Sequence, residues 1–233
     1  MEALVYLLIF LSFLISASAG MGGSLLLIPT LSYFIGVRDG IIISSVLLGL
    51  NNCFKIIVFF KYIQIRKIVY LMFFMLIGAI PGSMLMMKMD ENILAVILFI
   101  NIIFAFIIEK NAATGVRKKI SWVYSWLSGF CSGISGTSGP LKGMAIKCFD
   151  FNKLQIVAAA SVLSFATDST KAVIYLSNYN PVTGTSFDLL LVSICMMPVA
   201  TVLGKRINQK ISNVAYDVLF FSILSGYVVR LVL

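Results

Sequence analysis

The chain has 233 residues, of which 60% are hydrophobic and 12% are charged, and its mean hydropathy is +1.03. This composition excludes an ordinary soluble domain and indicates that most of the surface faces lipid. The net charge of +9 does not indicate a nucleic acid partner, because the basic residues stand singly between apolar stretches without interleaved aromatic residues.

The first apolar stretch, residues 4–17, is similar to a secretory signal, since Ala17-Ser18-Ala19 resembles a cleavage site. The stretch has no basic n-region, only Glu2, and apolar sequence resumes directly after the site. We therefore expect it to remain part of the membrane domain.

Six later stretches have about 20 apolar residues each, the length of a helix that crosses a bilayer core of roughly 30 Å. They are predicted at 40–60, 67–88, 92–108, 153–176, 185–203 and 213–232. Two longer stretches, 3–36 and 120–149, are interrupted by the glycine-rich segments 19–24 and 133–140. We predict a broken helix in each, because glycine and proline release backbone groups that lipid cannot satisfy.

The two breaks are 116 residues apart, which indicates an internal duplication. A shift of 116 aligns Gly20 with Gly136, Gly23 with Gly139, Leu25 with Leu141, residues 45–47 with 161–163, and Lys55 with Lys171. A shift of 117 aligns Pro81 with Pro198 and Lys88 with Lys205. The chain is thus predicted to consist of a first repeat at 1–110, a basic cytoplasmic linker at 111–119 and a second repeat at 120–233.

The basic residues indicate how the broken stretches pass through the membrane. If each stretch crosses once, the two sides carry eight and seven basic residues, which is no bias. If each turns back on itself, twelve lie on one side and three on the other. The three are Arg38, Lys88 and Arg230, and the twelve are Lys61, Arg66, Lys67, Lys110, Arg117, Lys118, Lys119, Lys147, Lys153, Lys205, Arg206 and Lys210. The second arrangement makes the repeats inverted and leaves both termini outside the cell, as in many secondary transporters.

Lys55, Lys142 and Lys171 fall outside every loop of this arrangement. Lys55 and Lys171 are repeat equivalents that follow the polar pairs Asn51-Asn52 and Thr167-Asp168 at helical spacing. An ammonium group in a membrane span is costly unless it is paired or serves a bound anion. We interpret these side chains as parts of an anion site; the alternative is that each lysine extends to the headgroups.

The helix breaks supply a second set of anion ligands, since a helix that starts at Gly23 or Gly139 presents free backbone N–H groups and a positive dipole end. The candidate residues are Gly20, Met21, Gly22, Gly23 and Ser24 in the first break and Gly136, Thr137, Ser138 and Gly139 in the second. The alternative is that the glycines serve only close helix packing.

Asp168 is the only carboxylate well inside a span. It is expected to pair with Lys171. A second hypothesis is that it carries a proton that is coupled to transport. The sequence has no histidine, and Cys53, Cys131, Cys148 and Cys195 are scattered, so we expect no metal and no cofactor and interpret the cysteines as small apolar residues. Because no catalytic triad, HExxH or P-loop pattern is present, we predict that the protein is not an enzyme.

Residues 19–31, AGMGGSLLLIPTL, and 129–141, GFCSGISGTSGPL, resemble the duplicated motifs of the TauE/SafE sulfite exporter family. In that family the first motif reads roughly G-x-G-G-G, an apolar run and P-x-L, and the second G-x-x-x-G-x-x-G-x-G-G-P. The resemblance spans nearly the whole chain and implies transport of small sulfur-containing anions such as sulfite, thiosulfate or organosulfonates. Ser24 and Ser138 stand where the motifs have glycine, and Lys142 is an unusual residue after the second motif.

We therefore predict an all-α integral membrane protein of two inverted repeats, each with a broken helix or re-entrant hairpin followed by three transmembrane helices. The predicted function is export of a small anion across the plasma membrane by alternating access. Its partners are the anionic substrate and the lipid bilayer, and the sequence is compatible with a homodimer. An anion channel, or a carrier for another small anion, is the alternative.

Overall fold

The computed structural model describes residues 2–20, 22–111, 120–179 and 186–210. In these ranges all regular structure is helical. The helices are α1 (Glu2–Ala19), α2 (Gly23–Ile35), α3 (Val37–Phe59) with a 3-10 turn at Phe60–Tyr62, α4 (Ile65–Lys88), α5 (Glu91–Asn111), α6 (Ser121–Ser135), α7 (Gly139–Lys147), α8 (Lys153–Asn178) and α9 (Ser186–Lys210).

Three segments within the described ranges are long and apolar enough to cross a membrane: Val37–Tyr62, Ile65–Lys88 and Asp188–Gln209. They correspond to three of the predicted spans. The predicted spans at 92–108 and 153–176 are also helical, as α5 and α8. α8 has 26 residues, about 39 Å, but it is less apolar because its buried side includes Asp168 and Lys171. The last predicted span, 213–232, lies outside the described residues.

The structure confirms both predicted helix breaks. α1 ends at Ala19 and α2 begins at Gly23, while α6 ends at Ser135 and α7 begins at Gly139. Gly20 and Gly136 end the first helix of each pair in the same left-handed conformation, with φ of 78° and 76°. α2 has 13 residues and α7 has 9, about 20 Å and 14 Å, so neither spans a bilayer core of about 30 Å.

Helix packing follows the 116-residue correspondence. α1 packs against α9, and α6, the counterpart of α1, packs against α4, the counterpart of α9. α3 packs along its own counterpart α8. α1 is an integral part of the core, where Ile9 and Phe13 are fully buried. α8 begins with a capping box, in which Asn152 accepts from the backbone N–H of Gln155 and the Gln155 side chain accepts from Asn152.

Glycines bring α4 and α6 into backbone contact. A Cβ atom added at Gly129 would lie 1.9 Å from the Met75 carbonyl oxygen, and one at Gly133 would lie 2.6 Å from the Ala79 carbonyl oxygen. Gly78 fits equally closely against Trp126. Close packing, the alternative interpretation of the break glycines, also applies to Gly20, Gly23 and Gly136. An added Cβ atom there would lie 2.8 Å, 2.5 Å and 2.5 Å from the nearest atom of a neighbouring residue.

Large apolar side chains cover the outer face of the bundle. Ile57, Phe60, Phe73 and Val173 are each at least 60% exposed. A surface of this kind suits hydrocarbon and not water, as the composition predicts. The four cysteines are free thiols.

Candidate functional site: a cavity between the two helix breaks

A cavity lies where the two helix breaks meet α3 and α8. Its lining residues are Ser16, Gly20, Gly22, Gly23, Ser24, Leu48, Asn52, Ser132, Gly136, Ser138, Gly139, Lys142, Ser164 and Asp168. The space open to the centres of water molecules is about 20 Å³. That volume holds about one water, so a polyatomic anion enters only if the walls move apart.

The cavity wall is built from equivalent residues of the two predicted repeats. Twelve of its fourteen residues form six pairs that are 116 positions apart in sequence. The pairs are Ser16 with Ser132, Gly20 with Gly136, Gly22 with Ser138, Gly23 with Gly139, Leu48 with Ser164, and Asn52 with Asp168. Ser24 and Lys142 line the cavity without their equivalents, which are Pro140 and Leu26.

α2 and α7 both begin at the cavity wall. Neither helix has a side-chain cap at its N-terminus, where Gly22 and Ser138 are the cap residues. The N–H groups of Gly23 and Gly139 belong to the first turn and have no partner within their helices. Two helix starts therefore direct N–H donors and positive dipole ends toward the same small space.

Lys55 and Lys171 each donate to a serine in the last turn of the helix that precedes a break, Lys55 in α1 and Lys171 in α6. Lys55 Nζ donates to Ser16 Oγ at 2.8 Å and to the Ser16 carbonyl oxygen at 3.4 Å. Lys171 Nζ donates to Ser132 Oγ at 2.9 Å and to the Gly136 carbonyl oxygen at 3.4 Å. Each ammonium group therefore lies at the C-terminal end of the helix before a break, where the helix dipole favours a positive charge.

Neither lysine extends to the headgroups. Lys55 is 1% exposed and Lys171 is fully buried, so the alternative of a lysine that reaches the membrane surface is not observed. Both ammonium groups lie behind the cavity wall, where they contact Ser16 and Ser132, which are themselves lining residues.

Asp168 connects the two halves of the site. Its Oδ1 lies 2.7 Å from Lys171 Nζ, as the sequence predicted, and its Oδ2 accepts from Asn52 Nδ2 at 2.9 Å. Because the amide nitrogen of Asn52 donates to the carboxylate, its Oδ1 faces away and has no hydrogen-bond partner among the described residues. Asn52 is 2% exposed and Asp168 is 5% exposed, so this contact is shielded from bulk water.

Lys142 is a third buried ammonium and lines the cavity directly. It lies in the first turns of α7, is 7% exposed, and donates to Ser164 Oγ. Three lysines and one carboxylate thus surround the cavity, an excess of two positive charges when all four are ionised. That excess favours an anionic ligand over a cationic or neutral one.

Nine of the fifteen residues predicted from sequence line the cavity, and five described ones do not. Lys55 and Lys171 lie behind the wall, Asn51 accepts from Thr201, and Thr167 bonds the carbonyls of its own helix. Thr137 faces Ser135 and a smaller cavity that Asn101 and Pro140 also line. Met21 lies outside the described residues.

Sequence reasoning missed Ser16, Leu48, Ser132, Lys142 and Ser164 as lining residues. Ser16 and Ser132 could have been predicted, because the 116-residue shift aligns them only four positions before the first aligned glycine pair. Lys142 stood out as a basic residue away from the loops, but nothing in the sequence indicates which side chain it meets.

A bundle of apolar helices around a polar cavity with buried lysines defines an integral membrane protein. The family model described as sulfite exporter TauE/SafE matches residues 5–231. The chain belongs to this family, and it is therefore a membrane transporter. Comparisons with curated proteins and with solved structures found no match.

Proposed function

We propose that this transporter exports small sulfur-containing anions, such as sulfite, thiosulfate or organosulfonates, across the plasma membrane by alternating access. The observation that carries the proposal is the cavity, which two helix N-termini face and which lysines surround. The proposed substrate site consists of both helix breaks with Asn52 and Asp168, and Lys55 and Lys171 add positive charge from behind the wall.

The proposed mechanism uses two inverted repeats that move about the site between them. Support comes from the 116-residue pairing of the wall, from the matching contacts of Lys55 and Lys171, and from α3 packing on α8. Alternating access also needs the walls to open, because the described cavity holds about one water. Both termini outside the cell, the division at residues 111–119 and a homodimer stay predictions.

Export of a monoanion needs no second ion. The membrane potential, negative inside, favours its exit by roughly 2.3 kcal/mol per 100 mV. Proton coupling is an additional proposal, for which the buried carboxylate of Asp168 is the candidate carrier.

Proteoliposomes test the function. The purified protein is reconstituted, and uptake of radiolabelled sulfite, thiosulfate and sulfoacetate is measured against protein-free vesicles. We expect saturable uptake of at least one anion. Absence of flux for all three would contradict the proposed substrate class.

The rival is an anion channel lined by the same residues. Counterflow separates the two: vesicles loaded with unlabelled anion should accumulate labelled anion transiently if a carrier exchanges them one for one. With the membrane potential clamped at zero by equal potassium and valinomycin, a channel shows no such accumulation, so flux without counterflow would replace the carrier with a channel.

A further inference from the structure

The three buried lysines differ in how far their hydrogen-bonding capacity is used. An ammonium group has three donors. Lys171 has three acceptors within reach, on Asp168, Ser132 and Gly136, and Lys55 has two, both on Ser16.

Lys142 has one acceptor, Ser164 Oγ, among the described residues, although its side chain is 93% buried. Asp168 lines the same cavity, but its ion pair is with Lys171, and its other oxygen accepts from Asn52. Lys142 therefore retains donors that face the cavity and that no carboxylate of the described chain takes up.

The position of Lys142 makes the lack of a negatively charged partner costly. Lys142 is the fourth residue of α7, and its backbone N–H donates to the Ser138 carbonyl oxygen at 3.0 Å. Its charge thus lies near the positive end of the helix dipole, where cations are disfavoured and anions are favoured. A buried cation at such a place is stabilised when an anion binds between it and the free N–H groups of the helix start.

Among the described lysines around the cavity, Lys142 is the one without a basic counterpart in the other predicted repeat. The equivalent of Lys142 in the first predicted repeat is Leu26, and the equivalent of Ser164 is Leu48. Both members of the pair are apolar in the first repeat and polar in the second. Among the described lining residues, an anion in the cavity therefore meets a charged donor on the second-repeat side only.

We propose that Lys142 and Ser164 are direct ligands of the anion and set its affinity. On binding, the ammonium group of Lys142 donates to an oxygen of the anion. Ser164 Oγ still accepts from Lys142 and donates its own hydroxyl hydrogen to the anion, and the backbone N–H of Gly139 completes the site, since Pro140 has no N–H. Lys55 and Lys171 act from behind the wall and do not contact the anion. The assignment rests on the proposed function in one respect: the anion that binds here is taken to be the transported substrate.

The test measures anion binding separately from transport. Purified protein in detergent is titrated with sulfite, thiosulfate, sulfoacetate, sulfate, nitrate and chloride, and the shift in melting temperature reports binding. The variants are Lys142→Met, Lys142→Arg and Ser164→Ala. Lys147→Met is the matched control. It removes the same charge from the same helix, but Lys147 is exposed.

We expect the wild type and Lys147→Met to bind at least one anion alike. Lys142→Met should bind it about ten- to a hundredfold more weakly, the loss expected for a hydrogen bond to a charged group. Lys142→Arg should keep more of the affinity than Lys142→Met, and Ser164→Ala should lie between Lys142→Met and the wild type. Met is a suitable replacement because an apolar side chain of similar length in place of a buried charge is often neutral for stability.

The outcomes distinguish the role of Lys142 from the proposed class of substrate. Binding that is unchanged in Lys142→Met, or a wild type that no anion stabilises, would overturn the assignment of Lys142. Binding of nitrate or chloride that depends on Lys142, with no response to the sulfur anions, would support Lys142 and overturn the proposed substrate class.

Discussion

Asn52 Nδ2 donates to Asp168 Oδ2 at 2.9 Å, although the two residues are 116 positions apart and occupy the same place in the two predicted repeats. Equivalent residues of two units that are related by a twofold axis touch each other only near that axis. The amide–carboxylate contact therefore lies where a twofold axis between the predicted repeats would run, on the packed helices α3 and α8. The two aligned positions thus carry an amide in one predicted repeat and a carboxylate in the other.

The first prediction concerns this contact. Asn52→Asp replaces the amide that donates to Asp168 with a second carboxylate, so we expect it to destabilise the protein by about 1–3 kcal/mol, through the lost hydrogen bond and the repulsion between two like charges. The exchanged variant Asn52→Asp/Asp168→Asn restores one carboxylate, which Lys55 is placed to pair with three residues along its helix. It should regain much of the lost stability, and thermal unfolding in detergent measures this. A double variant no more stable than Asn52→Asp alone would contradict the equivalence of the two positions.

The second prediction concerns the proton. If Asp168 carries a proton that is coupled to transport, Asp168→Asn should make anion flux independent of an imposed pH gradient while saturable flux remains. Uptake into proteoliposomes with and without a pH gradient measures the effect. An unchanged pH dependence in Asp168→Asn would remove Asp168 from coupling and leave it as the partner of Lys171.

The third prediction concerns the serines that Lys55 and Lys171 hold. Ser16→Ala and Ser132→Ala each remove a hydroxyl that accepts from an ammonium group, so each should destabilise the protein by about 1.5–3 kcal/mol. The two losses should be similar, because the two contacts are similar in length. Ser45→Ala is the control, since Ser45 is equally buried but bonds only the carbonyl of its own helix. A serine pair no more sensitive than Ser45 would show that the lysines do not depend on these hydroxyls.

The fourth prediction concerns the glycine contact of α4 and α6. Gly129→Ala would place a methyl group 1.9 Å from the Met75 carbonyl oxygen, so the helices must separate. We expect a loss of about 1–3 kcal/mol, typical of an overpacked core, visible as a lower melting temperature. Gly49→Ala is the control, because its added methyl group meets Asp168 Cβ at 3.7 Å, an ordinary contact, within a helix. Equal melting temperatures for the two variants would refute close packing at Gly129.

Much of the fold follows from composition and pattern. Apolar length located the spans within a few residues of α3, α4, α5, α8 and α9, because lipid demands long helices with satisfied backbones. Glycine spacing located the two breaks, since the left-handed conformation of Gly20 and Gly136 is open mainly to glycine. The 116-residue shift identified which residues correspond.

Only the tertiary structure decided which of those residues face the cavity. A helix turns every 3.6 residues, so neighbours such as Asn51 and Asn52 point in different directions, and packing determines which one meets Asp168. The sequence by itself predicted that Lys55 and Lys171 are repeat equivalents and determined that both are costly to bury in a membrane span. The tertiary structure shows that Lys55 and Lys171 lie behind Ser16 and Ser132 and that Lys142 lines the cavity. The sequence could not predict the contact of Lys142 with Ser164, because the two residues lie on different helices and no local pattern encodes their contact.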